Sequence, residues 1–498
     1  MTLRARARVL NSDMRLRGAS LALLIATLAI ASIRARASAP APVDAGIALP
    51  EAVDLNADPH IVEINLESRI SSVEIAPGTR VDAWTYNGGI PGPLIRVRVG
   101  DRLIVHFTNS LPQATTVHWH GLRIPVAMDG VPGASQPEVA PGGTFTYDFT
   151  VPDAGLFWYH PHVMSAAQVG FGLYGALLVE DPADQVRVAD ERVLVLSDIG
   201  VDSHGALESP TSGGSTAMMF GREGNYVLVN GRVHPTVTGR AGAPQRWRIV
   251  NAARSRYFSL ALDEQTFTQI GGDGGLQERP QVLDTLVLAP GERVDAIVTP
   301  QAAPGRALVL QAQLFDRGYG SVEYRQPEDL LTMVIAKDTP VAAAKLPVVT
   351  RAIDPMDAAG ATPVTLTFSL AQRADRTFEY QINGAPFMQN KPLQARLGEL
   401  QVWTITNHTK WSHPFHLHGF FFQVLDARGV PARPLAWKDT VNVPHDESVR
   451  ILVRFDERPG SWMFHCHILD HADGGLMGTV EVGGGPPTSH VHRVPDAR

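Results

Sequence analysis

Three copies of one pattern of short segments run along this chain, and that repetition limits the fold to three like modules laid end to end. The first copy reads Asn87-Gly88, Pro91, Val99-Gly100-Asp101, Val105-His106-Phe107-Thr108-Asn109 and His118-Trp119-His120-Gly121. The same order returns as Asn383-Gly384-Ala385-Pro386, Leu397-Gly398-Glu399, Trp403-Thr404-Ile405-Thr406-Asn407 and His416-Leu417-His418-Gly419. Between them, Asn230-Gly231 and Trp247-Arg248-Ile249-Val250-Asn251 repeat it again, but Tyr257-Phe258-Ser259 stands where the other copies carry two histidines. The middle module therefore has no metal motif.

Within a copy, alternating segments such as Leu94 to Val99 and Arg102 to Phe107 are separated by Gly, Pro and Asn turns, which reads as antiparallel strands of a β-sandwich. Charged residues are only 19% while the chain holds 45 Gly and 37 Pro, a balance that favours short strands and turns over long charged helices. The expected fold class is all-β. At about 100–200 residues per domain, three domains fit the length. Polar or Pro/Ala-rich linkers at 183–190 and 338–363 place them at 55–182, 190–338 and 363–482, with a Gly/Pro-rich tail over 483–498 that is expected to be disordered.

Residues 1–39 differ in kind: a basic stretch, the apolar or small run Leu21 to Ile33, then Ala37-Ser38-Ala39. That run fits a signal-peptide core and falls short of the roughly 18–20 residues needed to span a bilayer. The expectation is an exported chain, periplasmic or secreted, with Met14 an alternative start and an uncleaved membrane anchor the other reading of the segment. Removing residues 1–39 takes away seven Arg and one Asp, so the formal charge moves from −7 to −13. An acidic body lacks the basic footprint that nucleic acid or an anionic membrane would require. Its one cysteine cannot form an internal disulfide, which leaves the thiol free for metal.

That cysteine, Cys466, lies between His465 and His467, and ten of the 18 histidines fall in four short clusters. On a strand alternate side chains point to opposite faces, so His465 and His467 share one face while Cys466 points to the other. One strand can then touch two metal sites and join them by a short covalent path for electrons. Four His-x-His pairs, His118/His120, His160/His162, His416/His418 and His465/His467, each present two imidazoles on one face. Imidazole alone does not select a metal, but His413, Cys466 and His471 form the His₂Cys set of a blue-copper site. His60, His106, His204, His234, His408 and His445 are given no metal role.

From roughly residue 60 to 482 the chain resembles the multicopper oxidases of laccase type, which are built of three cupredoxin-like Greek-key β-sandwich domains in tandem. The resemblance rests on His-Trp-His-Gly at 118–121, Trp-Tyr-His-Pro-His at 158–162, His-Pro-Phe-His-Leu-His-Gly at 413–419 and His-Cys-His-Ile-Leu-Asp-His at 465–471. It implies copper as the cofactor: type 2 copper on His118 and His416, a type 3 pair on His120, His160, His162, His418, His465 and His467, and type 1 copper on His413, Cys466 and His471. Where some members carry an axial Met ten residues after the Cys, this chain has Leu476, with Met477 next. A leucine cannot ligate, and the expectation is a more oxidising type 1 site; coordination by Met477 after a one-residue shift is the alternative.

Reducing dioxygen to two waters also requires four protons. Asp129, eleven residues after His118, matches an acid that relays protons in similar enzymes; a turn Asp before Gly130 is the plainer reading. A second acid often directly follows the last type 1 histidine, but that position is Ala472 here, leaving Asp473 as the substitute. The implied reaction takes single electrons from a small reducing substrate, phenols or aromatic amines being the first expectation, and delivers them through Cys466 to dioxygen. A cuprous or other metal oxidase is the alternative. With 11 Met, of which only Met218-Met219 are adjacent, the chain lacks the Met-rich insertions of copper-resistance members. Oligomeric state is not encoded in these patterns.

Overall fold

The computed structural model describes residues 47–186, 188, 190–318, 326–337 and 350–483. The expected signal segment 1–39 and the tail from residue 484 lie outside them. The strands are organised into six β-sheets. Two are built from strands between Ile61 and Glu180, two from strands between Asp190 and Ile335, and two from strands between Thr362 and Val482.

The repeat seen in sequence is a repeat in pairing. In each module the first long strand lies parallel to the strand that ends in the repeated Asn: Ile61 to Ser68 against Arg102 to Asn109, Asp190 to Leu196 against Gln245 to Asn251, and Thr362 to Phe368 against Gln401 to Asn407. The three Asn side chains then do the same work. Asn109 Nδ2 donates to the carbonyls of Gln113 and Val139, Asn251 to those of Arg256 and Leu288, and Asn407 to those of Trp411 and Val443. Each Oδ1 accepts the backbone N–H two residues on. A buried Asn thus ties the turn leaving its strand to a distant loop and sets where the next strand begins. In the outer modules that next strand carries metal-motif histidines; in the middle one it starts after Tyr257.

The expectation of a purely antiparallel sandwich is corrected in one respect. Leu94–Val99 and Arg102–Phe107 are not neighbours: the strands Gly92–Arg98 and Arg102–Asn109 belong to opposite sheets, joined by the Gly100 turn. Each sheet also includes one parallel pair. Parallel neighbours need a long crossover rather than a tight hairpin, and here the crossover is the passage to the other sheet.

Alternation along the strands fills the cores. Trp119, Tyr147 and Phe157 pack inside the first module, Trp247, Phe258 and Phe267 inside the second, and Trp403, Phe415 and Phe464 inside the third. A further cluster, including Leu156, Trp158, Leu178, Val195, Leu228 and Val250, is shared by the first and second modules. Burying one such side chain contributes roughly 1.5–3 kcal/mol, so this shared cluster ties the first two modules together. The Gly/Ser-rich stretch 203–224 holds a short helix, Gly214–Phe220.

Candidate metal centre

Strand register places the metal motifs. His118 is paired with His160 and His120 with Trp158 on the strands His118–His120 and Gly155–His160 of the first module. In the third module His416 is paired with His465, and Phe415 with Cys466. Trp119 turns into the first core and Cys466 into the third, as alternation requires. His413 stands three residues before His416, and that odd spacing sends the two to opposite faces of one strand.

The histidine face of the third module meets that of the first. The His120 ring stacks on His416 at 3.7 Å and the His118 ring on His418 at 3.9 Å. His467 lies 4.9 Å from His120 and 5.5 Å from His160, while His162, His418 and His465 form a triangle with ring separations of 5.1–5.2 Å. All eight imidazoles of the four pairs therefore converge, four from each outer module. Seven are fully buried or within 1% of it, and His162 is half-buried.

The outer nitrogen of most rings is held by an acceptor. Nδ1–H donates to a backbone carbonyl in His118 (Asp129, 2.7 Å), His160 (Pro161, 3.0 Å), His416 (Asp439, 3.0 Å) and His465 (Cys466, 2.9 Å), and to Asp129 Oδ2 in His418 at 2.8 Å. His120 is reversed: its Nε2 faces Asp439 Oδ1 at 3.3 Å. Fixing the proton on one nitrogen leaves the other as a lone pair. Those inward atoms, His118 Nε2, His120 Nδ1, His160 Nε2 and His416 Nε2 among them, have no hydrogen-bond partner. A buried polar atom left unpaired costs about 1–3 kcal/mol. A cluster of them aimed at one another is what a metal-binding cavity requires.

Burial, reinforced by mutual repulsion, disfavours the charged form of His120, His160, His162, His416, His418, His465 and His467. It pushes His120, His160, His162, His465 and His467 well below the ordinary imidazole range, and His418 down to about 3. Neutral imidazole is the form that ligates.

The second site lies on the other face of the Cys466 strand. His413 Nδ1, Cys466 Sγ and His471 Nδ1 form a triangle with edges of 3.3, 3.7 and 3.1 Å. The centre of such a triangle lies about 2 Å from each atom, the length of a first-row metal bond to imidazole. Asn407 and Trp411 oxygens take the Thr409 hydroxyl proton, so Thr409 Oγ1 accepts from His413 Nε2 at 2.8 Å and turns Nδ1 inward. Burial pushes His413 down to about 3 and the Cys466 thiol upward; a bound cation would take the place of the thiol proton. Tyr380 and Trp411 wall this site, Tyr380 lying 4.4 Å from His471.

The geometry is matched by relatives. Family models described as multicopper oxidase cover residues 69–184, 190–324 and 358–485. The chain belongs to the multicopper oxidase family. It is 34% identical over 436 residues to the multicopper oxidase MmcO of Mycobacterium tuberculosis, covering 80% of this chain and 83% of that protein. It is 28% identical over 476 residues to a laccase of Bacillus subtilis, covering 82% and 91%. Among solved structures, a multicopper oxidase from Campylobacter jejuni described as a metallo-oxidase superposes with a TM-score of 0.77 at 29% identity, over 88% of this chain and 94% of that one. As a multicopper oxidase the protein is a copper-dependent oxidoreductase that uses dioxygen, and the two donor sets above suit copper.

Register places Leu476 and Met477 on opposite faces of their sheet. Phe464 is paired with Gly478 and His465 with Met477, and cross-strand partners share a face. Met477 therefore sides with His465 and the histidine cluster, away from Cys466. Leu476, fully buried, packs in the same core as Cys466.

Asp129, 2% exposed, follows the turn Val126–Met128, and both its carbonyl and its carboxylate face cluster histidines. His418 and His118 hold that carboxyl well below the usual range against the cost of burial. The turn itself is present: a Cβ on Gly130 would lie 1.9 Å from the Val117 carbonyl, so glycine is required there. Asp473 Oδ2 instead accepts from Ala166 N on the helix Ser165–Gly170.

Sequence reasoning missed the layer behind His120 and His416. Asp439, Thr440, Arg293 and Asp273 fill it, all buried. Thr440 Oγ1 donates to Asp439 Oδ1 at 2.8 Å, and Arg293 donates to both Asp439 oxygens. No motif marks Asp439 in sequence; only its place beside Thr440, which is paired with His416, reveals it.

Proposed function

We propose that the physiological donors of this oxidase are phenols and aromatic amines, oxidised one electron at a time, and that the enzyme works outside the cytoplasm. Leu476 on the Cys466 face carries the donor reading. With an apolar side chain where a thioether could ligate, a type 1 site becomes more oxidising, as donors that give up electrons reluctantly require. Bound copper supplies one-electron exchange at His413, Cys466 and His471 and dioxygen reduction at the eight-histidine cluster. The chain's own contribution is geometry: Cys466 shares backbone with His465 and His467, so one strand serves both sites. We assign type 2 copper to His118 and His416 and the type 3 pair to the other six histidines.

In this reading Asp129 moves protons. Its Oδ2 is engaged by His418 and its Oδ1 lies 3.4 Å from His118 Nδ1, and this carboxylate is the group through which a proton would pass. The basic-then-apolar character of residues 1–39 supports export. Among the described residues no helix is long and apolar enough to cross a membrane.

One observation favours cuprous ion as a second donor. The helix Gly214–Phe220 packs Met219 against the core that holds Cys466 and brings the Met218 sulfur beside Gly474, three residues after His471, so two thioethers lie near the type 1 ligands. Oxygen uptake by the copper-loaded enzyme, offered a phenol and Cu(I) separately, decides between them. Faster uptake on the phenol is expected; uptake on Cu(I) alone would overturn the reading.

A further inference from the structure

We propose that Arg293, from the middle module that carries no copper ligand, is a positioning residue for the trinuclear cluster, holding its two halves in register and fixing the orientation of His120. The inference rests on the copper reading above. An arginine has five N–H donors, and all of Arg293's are used. Nε donates to the Leu156 carbonyl at 3.1 Å, one terminal nitrogen to the Gly291 carbonyl at 3.0 Å and Asp439 Oδ1 at 2.8 Å, and the other to the Asp273 carbonyl at 2.9 Å and Asp439 Oδ2.

Those acceptors come from all three modules. Leu156 lies on the strand that ends at His160, Asp273 and Gly291 belong to the middle module, and Asp439 precedes the strand paired with His413 and His416. The side chain is 0% exposed, and it is the common partner of both ligand-bearing modules at this junction. Asp439 converts that anchorage into ligand geometry. Its Oδ1 faces His120 Nε2 and its carbonyl accepts from His416 Nδ1, so movement of Asp439 would release the imidazoles that stack across the interface.

The turn that precedes Arg293 reaches the rings directly. Gly291 has φ +87°, and a Cβ there would lie 2.9 Å from His467 and 3.1 Å from His120. The backbone of the middle module is thus part of the cluster wall. Lysine would keep the charge of Arg293 but lose the planar fork that engages both Asp439 oxygens.

The test compares wild-type enzyme with Arg293→Lys and Arg293→Gln, all copper-loaded, by copper content per chain, blue absorbance, the type 2 paramagnetic signal and release to a chelator. Outer partners of metal ligands typically change metal affinity roughly 10–100-fold. The expected result is retained blue absorbance with cluster copper held that much more weakly in both variants, lysine giving no rescue. Unaltered cluster copper and type 2 signal, with only the melting temperature lowered, would overturn the proposal. So would joint loss of blue colour and cluster copper from a folded variant. If neither variant folds, Asp439→Asn carries the test with the same two outcomes. Failure of the copper reading itself would show in the wild-type protein as absent blue absorbance, and so is distinguishable.

Discussion

The two metal sites share one strand but differ in how the chain builds them. His413, Cys466 and His471 all come from the third module, and its core, including Phe415, Phe464 and Leu476, packs around them together with Tyr257, Met219 and Phe220 of the middle module. The cluster instead draws four histidines from each outer module and exists only where they meet. With all its ligands on one module, the blue site should depend less than the cluster on how the outer modules meet. The cluster should be as stable as an interface, and more easily perturbed from a distance.

The largest separation of the two is expected at Asp129. Asp129→Asn should lower oxygen turnover about 10²–10⁴-fold, the usual weight of a proton-transfer group, while blue absorbance and donor-driven bleaching of it persist. Full turnover with copper bound would remove Asp129 from the proton path.

The repeated asparagines sharpen the contrast next. Asn109→Ala and Asn407→Ala each unpair buried carbonyls and should cost about 1–3 kcal/mol, read as a lower unfolding midpoint. Only Asn407→Ala, whose turn leads to His413, should also weaken the blue site. Equal effects on the blue site would mean that it depends on the interface after all.

Thr409→Ala removes the acceptor that orients His413 and should weaken type 1 copper retention about tenfold, at the low end for an outer partner. Cluster copper should be unchanged, as measured by metal content after graded chelation. The smallest effect is expected at Leu476→Met, which should lower the type 1 potential by about 60 mV, a tenfold change for one electron. An unchanged midpoint in redox titration would show that position 476 does not tune the copper.

What sequence revealed and what it hid follow from range. The His-x-His pairs and the single Cys are local, and strand alternation alone placed His465 and His467 opposite Cys466. The repeated Asn residues were visible as a pattern, although their shared role emerged only with the carbonyls they bridge. Arg293, Asp439 and Asp273 are joined across 146 and 20 residues, and nothing local distinguishes them from surface charges. The faces that Leu476 and Met477 take follow from the pairing of His465 with Met477, which spacing from Cys466 cannot supply. Likewise Leu94–Val99 and Arg102–Phe107 have the look of a hairpin, yet the Gly100 turn carries the chain between sheets.

The most direct test of one strand serving two sites is Cys466→Ser, followed by copper content, optical spectrum and oxygen uptake. The account predicts loss of blue absorbance and of about one copper per chain, cluster signals preserved, and donor oxidation abolished. Blue absorbance that survives the substitution, or cluster copper lost along with the type 1 copper, would contradict it.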